Sequence, residues 1–364
     1  GSQDDVRRES LVDMVYCYSK ERSDKSVVKH FKRLAYDRGP LVAALEKLSR
    51  RYTILDRNEG LRDVSRALLD LAPDNSKRRD DTENLHNALK KLKDYKRVGE
   101  DVGRLTATFT RVARSARLTT AERSSALIRF EQLSRDLATS AQLALEKRLG
   151  TKRWSDIPAV RQLEDAYTRY LETYGAKASL ESLMTANVKG QLVDKSKSKA
   201  NKQGENNEPA ESFDLRQNLI DVLANLSMVH SRVGRDYSAA QRFYERAQLL
   251  GREGSEDAYQ AVLHFQKALS VEGQSRGELV ISRALLRRAS SQLLNGALPK
   301  DQGAKVRYAI ALTYYEEGRL DKAIEYLTAV ATEYPNSTQG DSAVMLVLDA
   351  LKQKSAYDQL ASAG

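Results

Sequence analysis

The stretch RYAIALTYYEEGRLDKAIEYLTAVATEYP, Arg307–Pro335, decides the fold. Apolar residues recur at helical spacing on both sides of a single turn. Ile310, Tyr314 and Tyr315 mark the first helix, and Ala323, Ile324 and Leu327 mark the second. Between them lies Glu317-Gly318-Arg319, where glycine supplies a backbone conformation closed to bulkier residues. Pro335 stops the second helix. The rest of the chain is read by asking whether this helix–turn–helix unit repeats.

Composition favours helix throughout. Hydrophobic residues make up 41% of the 364 and charged residues 30%, with only 6 prolines. No run of about 18 uncharged apolar residues is present, so no membrane-spanning helix is expected. Gly1-Ser2 reads as a cloning remnant, and the start of the chain is uninformative about secretion. The single cysteine, Cys17, excludes an internal disulfide framework. Its place beside Met14 and Tyr18 predicts a buried thiol. The net charge is +10; residues 301–364 hold 6 basic and 9 acidic residues (−3), so the first 300 carry +13. Such an excess invites an acidic partner or anionic surface, although Lys and Arg are mixed with Asp and Glu as on a solvated helical face.

Taken in order, residues 1–10 read as a disordered start and 11–110 as repeated helix pairs. Tyr18 and Phe31 are 13 apart; Tyr18 and Tyr52 are 34 apart; Pro73 follows Tyr52 by 21, the offset that also separates Tyr314 from Pro335. A third pair is built on Leu85, Leu89 and Leu92, the turn Lys93-Asp94-Tyr95, and Val98, Val102 and Leu105. Residues 111–188 break the period with long helices. Thr119 and Glu122 form a capping-box pattern ahead of one helix through 148, and Pro158 opens another that Gly175 ends. Trp154, between them, is expected to pack under the loop. Residues 189–213 are polar and read as a flexible linker. From 214 to 364 the repeat returns: Ala240, Tyr244 and Ala247 form a trio that Ala261, Phe265 and Ala268 copy only 21 residues later. That interval is too short for a full unit, so either the first helix is shared or one helix is irregular. Ser342–Leu351 opens a further helix, and Tyr357–Leu360 a short one.

Arg307–Pro335 resembles one tetratricopeptide repeat (TPR). Ile310, Ala311, Tyr314, Gly318, Ala323, Leu327, Val330 and Pro335 fill its slots, with Arg307 where Trp is usual and Val330 where Ala is usual. The resemblance is clear over about 215–251 and 304–351, and degenerate over about 10–105. It implies an all-α, TPR-like solenoid with irregular long helices in the middle. The phrase Glu333-Tyr334-Pro335-Asn336-Ser337 is similar to bacterial envelope TPR proteins, including those of outer-membrane assembly and cell-division coordination. Phe31-Lys32-Arg33-Leu34 and Leu68–Asp74 resemble the long TPR proteins of delta-proteobacterial envelopes, some tied to gliding machinery. These likenesses favour a periplasmic or envelope protein over a cytoplasmic one.

No site chemistry stands out. His30, His86, His230 and His264 have no metal-ligand spacing, and no HExxH, CxxC, phosphate loop or nucleophile elbow occurs. No catalytic residue, cofactor, metal or small-molecule substrate is expected. The resemblance implies a non-enzymatic scaffold whose first helices line a groove for a partner peptide or helix. Its slots fall on Lys305, Tyr308, Leu312, Tyr315 and Glu316 in the last unit, Glu46 and Arg50 in the second, and Asn87, Lys90 and Lys91 in the third. A nucleic-acid-associated repeat protein and a regulatory subunit of an enzyme complex are the competing readings.

Overall fold

The structure is a computed structural model describing residues 3–21, 26–72, 77–115, 118–150, 152–176, 213–271, 276–295 and 298–354. Among these residues every regular element is helical. The chain divides into two compact units, residues 1–219 and 220–364.

The first unit contains α1 (Gln3–Glu21), α2 (Val27–Leu34), α3 (Arg38–Ile54), α4 (Asn58–Leu71), α5 (Arg78–Leu92), α6 (Val98–Ala113), α7 (Thr120–Leu149) and α8 (Pro158–Tyr170). A π-turn over Leu171–Gly175 continues α8. Odd-numbered helices pack in one row and even-numbered helices in a second, with α3 on α4, α4 on α5 and α6 on α7 joining the rows. The long helices α7 and α8 both pack on α6 and extend these rows. Helix spacing puts Leu41, Leu45, Leu48 and Tyr52 on one face of α3, and all are buried. They meet Val15 and Tyr18 of α1, Phe31 of α2, Val64 and Leu68 of α4, and Ala88 of α5 in one core. Tyr18 sets its ring edge-on to Phe31 at 5.3 Å.

The α7 start is set locally. The Thr119 amide donates to Glu122 Oε2 at 2.8 Å, and the Glu122 amide donates to Thr119 Oγ1 at 3.3 Å. Trp154 is buried, and its indole N–H donates to the Gly150 carbonyl at 2.9 Å, folding the α7–α8 loop back on itself. Further back along α7, Tyr170 donates to the fully buried Glu131 at 2.5 Å. Burial, then the Glu131 charge, pushes the Tyr170 hydroxyl far above its ordinary titration range.

The second unit contains α9 (Leu215–Val233), α10 (Asp236–Leu250), α11 (Ser255–Leu269), α12 (Arg276–Leu294), α13 (Lys300–Glu316), α14 (Leu320–Glu333) and α15 (Thr338–Gln353). Gly318, at φ 71°, makes the α13–α14 turn. The crowded 21-residue interval has a simple physical cause. Only a single 3₁₀ turn, Gly251–Gly254, joins α10 to α11, so the two helices lie side by side as a hairpin. Ala240 and Ala247 then share one core with Ala258, Ala261 and Phe265. Small residues let the helices approach so closely that a Cβ at Gly254 would sit 2.6 Å from the Ala247 carbonyl oxygen. Neither helix is shared: α11 packs on α10 and on α12.

Two expectations are corrected. Cys17 is exposed, because the buried stripe of α1 runs through Leu11, Val15 and Tyr18, and Cys17 lies about 200° around the helix from Val15. The opening residues are not a disordered start, since α1 begins at Gln3. The proposed linker 189–212 and the short helix at Tyr357–Leu360 lie outside the described residues.

Between α3 and α5 sits a charged cluster. Arg78 has no exposed surface; its guanidinium donates to Glu46 at 2.6 Å and lies 2.7 Å from Asp81. Burial pushes the Asp81 carboxyl up to about 6, against the opposing pull of Arg78. A carboxyl raised on folding stabilises the fold at low pH and loses that contribution as pH rises through the folded value. Asp81→Asn should therefore be more favourable relative to wild type at pH 7 than at pH 4.5. The expected difference is about 1–3 kcal/mol, read from urea titrations at the two pH values. Gly254→Ala should cost about 1–3 kcal/mol by forcing α10 and α11 apart. Gly277→Ala, which has open space around it, should leave the melting temperature unchanged or raise it.

Candidate interaction face

The last helix pair presents the best-formed side-chain array among the described residues. Helix spacing places Tyr308, Leu312 and Tyr315 at i, i+4 and i+7 of α13, one above another. All three are half-buried, and both tyrosines lean on the core formed by Ala311, Ala323, Leu327, Val330 and Ala343. Tyr315 does not stand alone. Its hydroxyl donates to the Asp349 carboxylate of α15, and Gln353 Nε2 donates to Tyr315 at 2.8 Å and to Asp349 at 2.7 Å. That hydrogen bond raises the Tyr315 hydroxyl and lowers the Asp349 carboxyl from their ordinary values.

One turn beyond Leu312, Glu316 accepts from Arg283 of α12 at 2.9 and 3.2 Å. Arg287 donates to Glu317 at 2.9 Å and to Thr313 at 3.0 Å. Tyr314 lies between two cations, with Arg287 4.9 Å and Arg319 4.7 Å from its ring centre. Helices α12, α13 and α15 are thus tied at the Glu316–Gly318 end by polar contacts, leaving the apolar edges of Tyr308 and Leu312 further along α13. Lys305 is exposed at the start of this face.

The candidate residues of the first unit occupy different settings. Glu46 is half-buried and holds Arg78 and Lys77. Arg50 is exposed. Asn87 bonds the His86 ring at 3.2 Å. Lys90 donates to Asp136 of α7 at 2.8 Å, and His86 reaches the same carboxylate at 2.6 Å. Burial opposes the Asp136 charge, but these two partners outweigh it and hold the carboxyl below its usual range. Lys91 pairs with Asp56 at 2.6 Å. Glu46, Lys90 and Lys91 therefore tie neighbouring helices together, whereas Tyr308 and Leu312 have apolar surface to offer.

The sequence reading missed Asp349, Gln353, Arg283 and Arg287. The repeat period could have found Asp349, which lies 34 residues beyond Tyr315. The arginines lie on α12, outside the repeat pattern, and carry no such signal.

One arrangement has the connectivity of a nucleophilic relay. Ser231 Oγ lies 3.3 Å from His264 Nε2, and His264 Nδ1 lies 2.6 Å from Asp236. Acyl transfer also needs free donors for the oxyanion. Here the nearby Gly234 and Arg235 amides are engaged by the Ser231 and His230 carbonyls at 3.1 and 2.9 Å. The relay instead pins α11 to the α9–α10 turn. Among the described residues no group of three or more His, Cys, Asp or Glu could hold a metal ion. No described helix is long and apolar enough to cross a membrane.

The Tetratricopeptide repeat family matches residues 305–337. No curated protein sequence matches the chain. Among solved structures the chain is similar to a "circular tandem repeat protein with novel repeat topology and enhanced subunit contact surfaces", at 13% identity and a TM-score of 0.35, over 97% of this chain and 77% of that one. The matched repeat and the stacked helix pairs around it make this an all-α, TPR-like repeat protein.

Proposed function

We propose that the chain is a non-enzymatic scaffold that holds a partner peptide or helix against the Tyr308–Leu312–Tyr315 face of α13. The supporting observation is the division of labour on that helix. Polar ties fix Tyr315 and Glu316 in place, and Tyr308 and Leu312 keep apolar surface beside them. Rigid aromatic and aliphatic anchors on a braced backbone lose little entropy on binding. TPR repeats in general mediate protein association, which agrees with this reading. The likeness of Glu333–Ser337 to envelope TPR proteins favours an assembly of the bacterial envelope, with motility as a narrower possibility within it.

A proteomic pull-down from the source cells, comparing wild type with Tyr308→Ala/Leu312→Ala, tests the face. Removing two central anchors should cost at least about tenfold in affinity and deplete the bound partner accordingly. Circular dichroism should remain unchanged, since both side chains are only half-buried. An identical set of captured proteins from a folded variant refutes the assignment.

A further inference from the structure

Part of the chain's positive charge stands clustered at the end of α7, without ion-pair partners among the described residues. Several cations of the first unit are held in ion pairs: Arg62 with Asp94, Arg66 with Asp101, Arg104 with Asp70, Lys91 with Asp56 and Arg129 with Glu83. The end of α7 differs. Lys147, Arg148, Lys152 and Arg153 fall within seven residues, all are exposed, and none makes an ion pair with a described residue. Asp156, in the loop ahead of α8, is held by Arg161 Nε and Nη2 at 2.9 and 3.0 Å.

Gly150, at φ 75°, ends α7, and the Trp154 indole clamps back onto its carbonyl. Lys147 and Arg148 suit the negative end of the helix dipole. Lys152 and Arg153 lie beyond the helix, and that explanation does not reach them. One turn before the paired cations, Leu143 is 61% exposed and Ala144 is exposed too. The offsets Leu143–Lys147 and Ala144–Arg148 are both i, i+4, so this outer face of α7 is apolar and then basic along its length.

We propose that this corner of the first unit rests on an anionic lipid bilayer. Four cations match the anionic headgroups, and each such cation near a charged bilayer adds roughly 1 kcal/mol of attraction. The exposed leucine beside them matches the acyl boundary just below the headgroups. A nucleic acid would not reward Leu143, and the one aromatic ring here, Trp154, is buried and closed to base stacking. The contact is peripheral, made by a loop and the flank of a helix.

Co-sedimentation of the full chain with vesicles provides the test. Phosphatidylcholine vesicles containing phosphatidylglycerol should bind the protein, and pure phosphatidylcholine vesicles should not. Lys152→Gln/Arg153→Gln, which leaves the helix end intact, should weaken binding about tenfold or more. Leu143→Ser should weaken binding to the charged vesicles by a similar factor at low and high salt, because the apolar contribution is not screened, whereas the loss from Lys152→Gln/Arg153→Gln should shrink as salt rises. Circular dichroism on each variant confirms folding. Equal binding to both vesicle types, or undiminished binding by the folded double variant, overturns the proposal. So does tight, salt-sensitive binding to a random DNA duplex with none to vesicles.

Discussion

Asp101 has no exposed side-chain surface, and the first unit is registered around it. Arg66 of α4 grips it with two hydrogen bonds, at 2.9 and 2.6 Å, and Arg104 adds a third at 3.0 Å. A buried carboxylate tolerates no slippage. Shifting α4 along α6 by a single turn would strand a charge in the interior, at a cost of about 3–5 kcal/mol. Apolar faces are more forgiving, because leucines exchange neighbours with little loss when volume is kept. The core drives the helices together, and this ion pair says which turn of one meets which turn of the next.

The same logic recurs at the separation of one repeat. Arg104 also reaches Asp70, 34 residues back; Arg62 reaches Asp94, 32 residues on; Arg51 donates to Ser19, 32 residues back. In the second unit Tyr315 and Asp349 are joined at a separation of 34. Arg104–Asp70, Arg51–Ser19 and Tyr315–Asp349 each tie a helix to its counterpart in the next pair, and Arg62–Asp94 ties α4 to the α5–α6 turn. Stacked repeats contact only their neighbours, so one link per interface suffices to set register along the row. These pairs cancel charge for charge, so the net +10 resides on cations outside them. Cations and anions face one another across interfaces, and part of the excess lies exposed at the α7–α8 loop.

Legibility in the sequence followed the same division between apolar pattern and polar detail. Helix existence was visible in the apolar spacing: Tyr314, Gly318, Ala323 and Pro335 announce a turn between two helices, which α13 and α14 form. The 30-residue length of α7 was visible as well, since its capping residues and lack of breakers mark both ends. Register was not visible, because a pairing such as Arg66 with Asp101 depends on how far two faces slide, and many arginines and aspartates stand at similar offsets. Cys17 shows the limit of reading a face from neighbours, as one residue along a helix is about 100° around it. The α10–α11 hairpin shows a second limit. A four-residue 3₁₀ link shortens the interval without changing the apolar code on either side.

These facts bear on how such a chain could hold a partner. A face whose charges are already paired internally has little left to offer an ionic ligand without first breaking those pairs. Lys90, Lys91 and Glu46, though placed in groove positions by the repeat pattern, are committed to Asp136, Asp56 and Arg78. Tyr308 and Leu312 carry no such commitment, and the bracing of Tyr315 by Asp349 and Gln353 holds the backbone beneath them rigid. Affinity on such a surface comes from burying apolar edges against a prearranged wall, so shape selects the partner there. Where charge is unpaired, at the far end of α7, selection follows the sign and density of charge on the surface presented to it.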